Sequence, residues 1–593
     1  MTNLEIANLL RKVSAAYLIL NENRFKIIAY DRAADSVEHL TREVKDMWDD
    51  GKLNDIPGVG QGIASYLNEL FKSGRVKHFD DVLKRLPASI FPLLLVPGIG
   101  PKKAYKLVTA LKLDTAKTVV EDLQRAARSH KIAPMEGFGE KSEADILANI
   151  DTYKRGAIKE NRMLLSEADR IAGQIMDYLK NVDGISHIET LGSLRRRVGS
   201  VGDIDMAVAT TKPEEAIARF VTYPHQKLIE QGPTGASLLL HNGRQVDMRV
   251  QSPKAYGAMV QYFTGSKNHN IKLRELALAW GKSLNEYGIK DIKTKKVQEF
   301  KTEQDLYASL GLDWIAPELR EGRGEIEASS AHKLPKLIEL GDIRGDLHVH
   351  SSYDLDSSHD LGADSPAVCL SKAAELGYEY IGFSDHNPSV GNHSESEIIS
   401  IMKKRKHDYE QQYYSWAKKA IKRVQMFLMC EVDILPDGKL ALPDGAFEFV
   451  DAVVVSIHSS FAMNRDKMTK RVVAALTSHL KVRIFGHPTA RLLGSREGVD
   501  FDWDNVFAIC KERDIALEIN AAPQRLDVPD TVVFDAKKEG IRFCINTDAH
   551  ASENMTAMKY GVSVARRGWA TKHDIVNCME YNKFKKWLLK GAT

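Results

Sequence analysis

Two groups of side chains carry more charge than a fold would crowd together without a reason. The first is Gly202-Asp203-Ile204-Asp205 together with Val246-Asp247-Met248. Both lie in apolar runs, IDMAVAT and QVDMRV, that read as strands, where residues two apart share a face. Asp203 and Asp205 are then neighbours, and two unit charges about 4 Å apart repel by roughly 4 kcal/mol at an effective dielectric near 20. Cations remove that cost. Two Mg²⁺ ions bridged by Asp203, Asp205 and Asp247 suit in-line phosphoryl transfer, one activating an attacking hydroxyl and the other holding a triphosphate. A lone D-x-D is more often a solvated strand edge, so the upstream sequence matters. Gly192-Ser193, ten residues before Asp203, opens a basic run of Arg195, Arg196 and Arg197. Such a turn offers backbone N–H groups to phosphates, and arginine adds charge. The combination is a general nucleotidyltransferase signature and leaves the substrate class open.

The second group is His348-Val349-His350, Asp385-His386, Glu431, His458, His487 and Asp548-Ala549-His550. Each sits at or near the end of an apolar, strand-like segment. A single histidine there is ordinarily a satisfied polar residue; six, with carboxylates, at equivalent strand ends have no comparable structural reason. His-x-His on a strand puts both rings on one face, as metal ligation needs. Imidazole-rich ligation suits Zn²⁺, Mn²⁺ or Fe²⁺ better than Mg²⁺.

The elements that must position these residues follow from pattern. Residues 1–155 read as helical. Ile56-Pro57-Gly58-Val59-Gly60 and Val96-Pro97-Gly98-Ile99-Gly100 share a form in which glycines let a phosphate approach backbone N–H groups at a helix start. This is the helix-hairpin-helix turn, which grips DNA backbone and carries no sequence information, with Gly58, Gly60, Gly98 and Gly100 as the contact positions. Gly137-Phe138-Gly139 is a weaker third copy. The expected division is a helical domain at 1–85, a second at 86–158, a nucleotidyltransferase palm at 159–250 and a thumb-like domain at 251–316. A polar linker at 317–339 with some relative domain motion follows, then a barrel at 340–580. In that last part seven β-branched segments alternate with helices, which implies parallel βαβ units and a distorted (α/β)7 barrel with its chemistry at the C-terminal strand ends. The fold class is therefore multidomain, α/β with α+β.

Bulk properties add limits. A length of 593 residues needs several cores. The net charge of +3 argues nothing about partners. Five cysteines, an odd number without a CxxC pair, fit a reduced compartment. No run approaches a membrane span, and the N-terminus lacks a signal-like apolar core, so the expected location is cytoplasmic.

The run YFTGSKNHNIKLRELA (262–277), followed by LNEYG (284–288), resembles the nascent-base-pair region of the DNA polymerase beta family, and the similarity extends almost without gaps from Arg162 to Gly288. It implies that Arg162, Gly192, Ser193, Arg196 and Gly202 contact the triphosphate. It further implies that Tyr262, Phe263 and Gly265 line the sugar pocket, and that Asn270 and Arg274 touch the nascent pair and template. Asp203, Asp205 and Asp247 fall on the family's metal positions. The family's lyase lysines are missing: Gly62 and Tyr66 stand where they would fall, so Schiff-base chemistry is not expected.

The histidine-rich segments resemble the polymerase and histidinol phosphatase (PHP) family. That implies a centre of two or three ions, Mn²⁺ or Zn²⁺, with Glu431 bridging and a water activated for attack on a phosphoester. His348, His350, His386, Glu431, His458, His487, Asp548 and His550 would be ligands. A further ligand is expected from the following loop, where Asp354, Asp356 and His359 are available and Asp356 is favoured. Arg491 and Arg525 are candidates for holding a substrate phosphate. Polymerase first and PHP domain second is the order of bacterial and archaeal family X enzymes. It implies gap filling in base-excision repair on gapped or nicked DNA with deoxynucleoside triphosphates, by a monomer. It also implies 3′-5′ exonuclease activity and abasic-site cleavage. The rival readings are a DNA end-binding scaffold with a weak polymerase centre, and a small-molecule phosphatase fused to a polymerase.

Overall fold

The glycines of the N-terminal third do what their spacing asks of them. In the computed structural model, which describes residues 3–590 except 39–43, 50, 57, 95, 97, 136 and 155–161, Gly58, Gly98 and Gly137 have φ of 75°, 74° and 80°. Only glycine adopts that region without strain. Gly60 and Gly100 then cap the helices Gln61–Ser73 and Pro101–Leu111. Pro57 and Pro97 lie outside the described residues. Apolar residues three and four apart, such as Ile63, Leu67 and Leu70, turn one stripe of each helix inward. The result is one apolar core running from Ile6 to Ile150, continuous across the boundary expected near residue 85. This region, Met1–Glu160, is one of two compact units; the other is Asn161–Thr593.

In the second unit a five-stranded palm sheet comprises β1 (Ile185–Thr190), β2 (Ile204–Thr210), β3 (Lys227–Gly232), β4 (Gly235–Leu239) and β5 (Gln245–Gln251). Its order is β1-β2-β5-β4-β3. The central pair β2 and β5 is parallel and aligns Asp205 with Asp247. Strand alternation sorts the faces: Met206, Val208, Met248 and Val250 pack with Ile171, Ile175 and Phe220, whereas Ala207 and Ala209 pack under the helix Tyr256–Thr264. Asp205 and Asp247 share the parity of the second face. The thumb continues through the helix Lys267–Ala279 and the helix Glu303–Ser309 over a core of Leu273, Leu306, Tyr307 and Ile315.

The expected linker is not a tether. Residues Pro317–Leu319 and Glu325–Ser330 form helical turns, Ile326 joins the thumb core, and Arg320 and Glu325 are fully buried. Arg320 donates to Glu303 at 2.5 Å and to the Ile315 carbonyl at 2.9 Å, and Glu325 accepts from His269 at 2.8 Å. The segment looked solvated because its charges have partners far away in sequence. It also docks the barrel: Arg323 pairs with Asp530 at 3.0 Å, and Glu318 with Arg566 at 2.7 Å.

Seven parallel strands in sequence order form the C-terminal domain: β6 (Gly345–Val349), β7 (Tyr380–Phe383), β8 (Gln425–Asp433), β9 (Ala452–Ser456), β10 (Val482–Phe485), β11 (Ala516–Asn520) and β12 (Phe543–Asn546). The sheet closes on itself, with Val349 bridging Ala549 and the His350 N–H donating to the Ala549 carbonyl at 2.9 Å. This is the expected (α/β)7 barrel. Leu347, Tyr380, Met429, Val454, Ile484, Ala516 and Cys544, one from each strand, fill the lumen together with Phe584 and Trp587. Two residues beyond Met429 and Ala516, on the same inward face, stand Glu431 and Glu518.

Candidate metal centres and nucleotide site

In the palm, one oxygen from each of Asp203, Asp205 and Asp247 lies within 4.8 Å of the others. Burial, then the charges of Asp203 and Asp247, pushes Asp205 well above the usual carboxylate range. Burial raises Asp247 to about 6 although Ser237 and Gln245 bond to it. Crowded carboxylates whose surroundings oppose their ionisation are what a divalent cation would relieve. The neighbours fit tightly. Gly192 takes φ 55°, and a Cβ there would collide with the Asp205 carboxylate. The Leu191 N–H donates to the Asp205 carbonyl at 2.8 Å, which ties the Gly192-Ser193 turn to β2.

Arg162 donates to Ser200 Oγ at 2.9 Å and comes near Gly202. Arg196 donates to the Thr264 carbonyl at 2.5 Å and to Glu321 at 3.1 Å, which brings it against Gly265. The other two arginines of the basic run serve the fold. Arg195 is clamped by Glu189 and Glu303, each at 2.8 Å, and Arg197 by Asp169 at 2.5 Å. Tyr262 and Phe263 pack edge to face at 4.9 Å, with Arg274 5.2 Å from the Tyr262 ring and the half-buried Arg249 3.9 Å from that of Phe263. Asn270 donates to the Tyr262 carbonyl at 2.8 Å. In the N-terminal unit, the cleft beside the helix Gln61–Ser73 is lined by Trp48, Asn54, Gln61, Ser65 and Asn68 with no amine among its described residues. Tyr66 stacks on His78 at 4.9 Å.

The barrel mouth holds a cavity of about 510 Å³. Ligand-type atoms gather there in overlapping groups: His348, His350, Glu431 and Asp548; Glu431, His458 and His487; His350, His386 and His550; and His359, His386 and His458. Several of these buried atoms have no hydrogen-bond partner among the described residues, including His348 Nε2, His350 Nε2, His386 Nδ1, Glu431 Oε2 and His550 Nε2. Yet they face one another closely: His348 Nε2 is 3.2 Å and His386 Nδ1 3.1 Å from Glu431 Oε2. Converging donors that bond to nothing else suit metal ions. Burial disfavours charge on His350, His386 and His487 and lowers all three, keeping them neutral as ligation requires. Burial opposes ionisation of Glu431, but His348, His458 and His386 outweigh it and hold the group well below its ordinary value. His487 and Asp548 take φ of 25° and 54°, strain of a kind concentrated at functional sites.

The structure corrects the loop ligand. Asp356 points away, with its side chain 67% exposed and 3.9 Å from His393. His359 reaches the cage instead, its ring 4.6 Å from those of both His386 and His458. Asp385 is likewise committed elsewhere, to Arg405 at 2.6 Å and the Ser351 N–H at 2.7 Å. Of the two candidate phosphate arginines, Arg525 lines the cavity, 3.3 Å from Asp548. Arg491 instead donates to the Arg525 carbonyl at 3.0 Å and so braces that turn. Two carboxylates were missed. Glu518 accepts from His348 Nδ1 at 2.8 Å and from the His487 N–H at 2.7 Å. Asp433 accepts from His458 Nδ1 at 2.6 Å. Such outer partners fix ring orientation and tautomer. Their signal was inward parity at strand ends.

Comparison with known proteins agrees with this geometry. The helix-hairpin-helix domain family matches residues 1–76, the DNA polymerase beta thumb family residues 259–321, and the PHP domain family residues 346–522. The chain is 33% identical over 592 residues, 99% of both sequences, to the DNA polymerase/3′-5′ exonuclease PolX of Bacillus subtilis (strain 168). It is 22% identical over 351 residues to DNA polymerase lambda of Rattus norvegicus, covering 54% of this chain and 56% of that one. A probable phosphatase of Thermoanaerobacter sp. (strain X514) is 26% identical over 178 residues, 28% of this chain and 69% of the relative. Likeness that runs end to end at this identity admits one placement: the chain belongs to the PolX family, family X DNA polymerases that carry a C-terminal PHP domain.

Proposed function

We propose that the protein fills short DNA gaps in base-excision repair and removes 3′-terminal nucleotides at a second, separate centre. The observation that carries the first half is the register of β2 and β5, which sets Asp205 opposite Asp247 with Asp203 beside them. Two Mg²⁺ ions held by Asp203, Asp205 and Asp247 would supply activation of a primer 3′-hydroxyl and neutralisation of the triphosphate. The residues around them orient the substrate. The Gly192-Ser193 turn, Gly202, Arg162 and Arg196 receive the phosphates; Tyr262, Phe263 and Gly265 bound the sugar; Asn270 and Arg274 face the nascent pair. The turns at Gly58, Gly60, Gly98 and Gly100 hold the DNA backbone.

In the barrel, Mn²⁺ or Zn²⁺ on the histidine and carboxylate cage would supply Lewis-acid activation of a water. Glu431, at the centre of the cage, would hold the ions together with the surrounding histidines. Arg525 offers charge to the phosphate beside it. Incision at abasic sites would use the same chemistry, and Schiff-base lyase activity is not expected of this chain. We place the enzyme in the cytoplasm as a monomer; no described helix is long and apolar enough to cross a membrane.

The test is Asp247→Ala on primed, gapped DNA with Mg²⁺ and Mn²⁺. Nucleotide addition should vanish while 3′ degradation continues at the wild-type rate. Loss of both activities would mean that the centres are not separate. Release of phosphate from a small phosphomonoester faster than nucleotides from a 3′ end would favour a phosphatase role for the barrel.

A further inference from the structure

Between the Gly192-Ser193 turn and Asp203 the palm chain runs along the barrel. The barrel meets it with the helix Met558–Arg567, whose first turn lines the barrel cavity with Lys559 and Tyr560. Arg197 Nε donates to Ser563 Oγ of that helix at 3.3 Å, and a Cβ at Gly199 would come 3.2 Å from the Leu526 side chain. At the helix end the buried Arg567 reaches three acceptors: the Arg196 carbonyl at 2.7 Å, Glu321 at 2.9 Å and Asp530 at 3.2 Å. Arg196 donates to the same Glu321 oxygen at 3.1 Å, so one carboxylate serves two guanidinium groups. Asp530 is shared likewise, with Arg323 at 3.0 Å. Within this cluster three arginines face two carboxylates. A clasp that only joined the domains gains nothing from that excess of positive charge; a triphosphate arriving beside it would.

We propose that Arg567, a barrel residue, is a positioning residue for nucleotide addition. It fixes the Arg196 main chain and takes up the charge of Glu321, which leaves the charge of the Arg196 guanidinium for the triphosphate. This rests on reading Arg196 as a residue that receives the phosphates. Without Arg567, Glu321 would pair with Arg196 alone, tying down that side chain and repelling the nucleotide at once. The polymerase centre is then completed by the barrel, and the dependence appears in nucleotide affinity.

The test is single-nucleotide addition on gapped DNA by the full-length chain, with 3′ degradation on the same preparation as the check of folding. Arg567→Gln should raise the KM for the deoxynucleoside triphosphate about 10-fold, the loss of a charge-assisted bond, with kcat little changed and 3′ degradation retained. Arg567→Lys keeps the charge but not the fork; it should show a smaller rise, and it decides the matter if Arg567→Gln does not fold. Adding Glu321→Gln to Arg567→Gln should recover part of the loss, because the competing carboxylate is gone, whereas two residues that only braced the fold would give losses that add. Arg566→Gln severs the neighbouring bridge to Glu318 between the same domains and should keep the wild-type KM. An unchanged KM in the folded Arg567 variants, an additive double variant, or an equal rise in Arg566→Gln would overturn the proposal. An unchanged KM in Arg196→Ala would overturn the reading of Arg196 itself, and so is told apart from failure at Arg567 alone.

Discussion

An imidazole ligates a metal only through a nitrogen that carries no proton, so the charge state of the barrel histidines fixes how metal uptake depends on pH. Burial alone would lower His458, but Glu431 and Asp433 raise it to about 10. His348 is raised well above its ordinary value by Glu518, Glu431 and Asp548, again against burial. Near pH 8 the metal-free site therefore holds protons that an entering cation must displace. Zinc uptake at pH 8 should release protons, and apparent affinity should rise with pH up to about 10; calorimetry in two buffers of different ionisation enthalpy measures this, and buffer-independent heats would contradict it. In the palm the sign is the same at lower pH. Asp247, raised to about 6, must lose its proton to hold Mg²⁺, as must Asp205, raised further by its burial and its neighbours, so binding there should weaken as pH falls through 6. Glu518→Gln keeps the shape of the side chain that orients His348 and should cost about 10- to 100-fold in barrel metal affinity, seen by competition with a chelator. That these residues gather in two clusters was legible because strand period and strand ends sort them. Glu518 and Asp433 were not, since an outer partner looks like any strand-end carboxylate. The choice between Asp356 and His359 failed because an irregular loop has no period to read.

Elements place these groups through a few positions that tolerate no side chain. Gly192, at φ 55° against the Asp205 carboxylate, is the clearest. Gly192→Ala should lower the rate of nucleotide addition by about 100-fold, the cost of displacing a reacting group by about an ångström, without affecting 3′ degradation; primer extension and 3′-digestion assays on one preparation decide it. In the N-terminal unit a Cβ at Gly58 would lie 3.3 Å from the Arg32 backbone, on a residue with φ 75°. Gly58→Ala should cost about 1–2 kcal/mol of that unit's stability and weaken DNA binding alike for all sequences. These turns were plain in the sequence because the glycine pattern repeats, and the barrel strands because apolar runs alternate with helices. The stretch 317–339 was misread for the opposite reason: Arg320 and Glu325 look solvated until Glu303 and His269, distant in sequence, appear beside them.

At the scale of the whole molecule, palm, thumb and barrel form one compact unit, and buried arginines join them. Arg567, 6% exposed, donates to the Arg196 carbonyl at 2.7 Å and pairs with Glu321 at 2.9 Å and Asp530 at 3.2 Å. Nothing in composition foretells such docking, because Arg196 and Glu321 lie outside the barrel that carries Arg567. Removing one member of a buried charge network typically costs about 3–5 kcal/mol. Arg567→Ala should accordingly lower the unfolding midpoint and separate the unfolding of palm and barrel into two calorimetric transitions; a single unchanged transition would show that the domains are not coupled there. What would unite the molecule chemically is a pair of cation sites, one for each of the two places where these charged and ligating side chains are crowded together. Anomalous scattering from crystals soaked with Mn²⁺ and a deoxynucleoside triphosphate tests that most directly. The account predicts peaks both among Asp203, Asp205 and Asp247 and within the cage around Glu431. Intact side-chain density at either place, with no peak above noise, would contradict it.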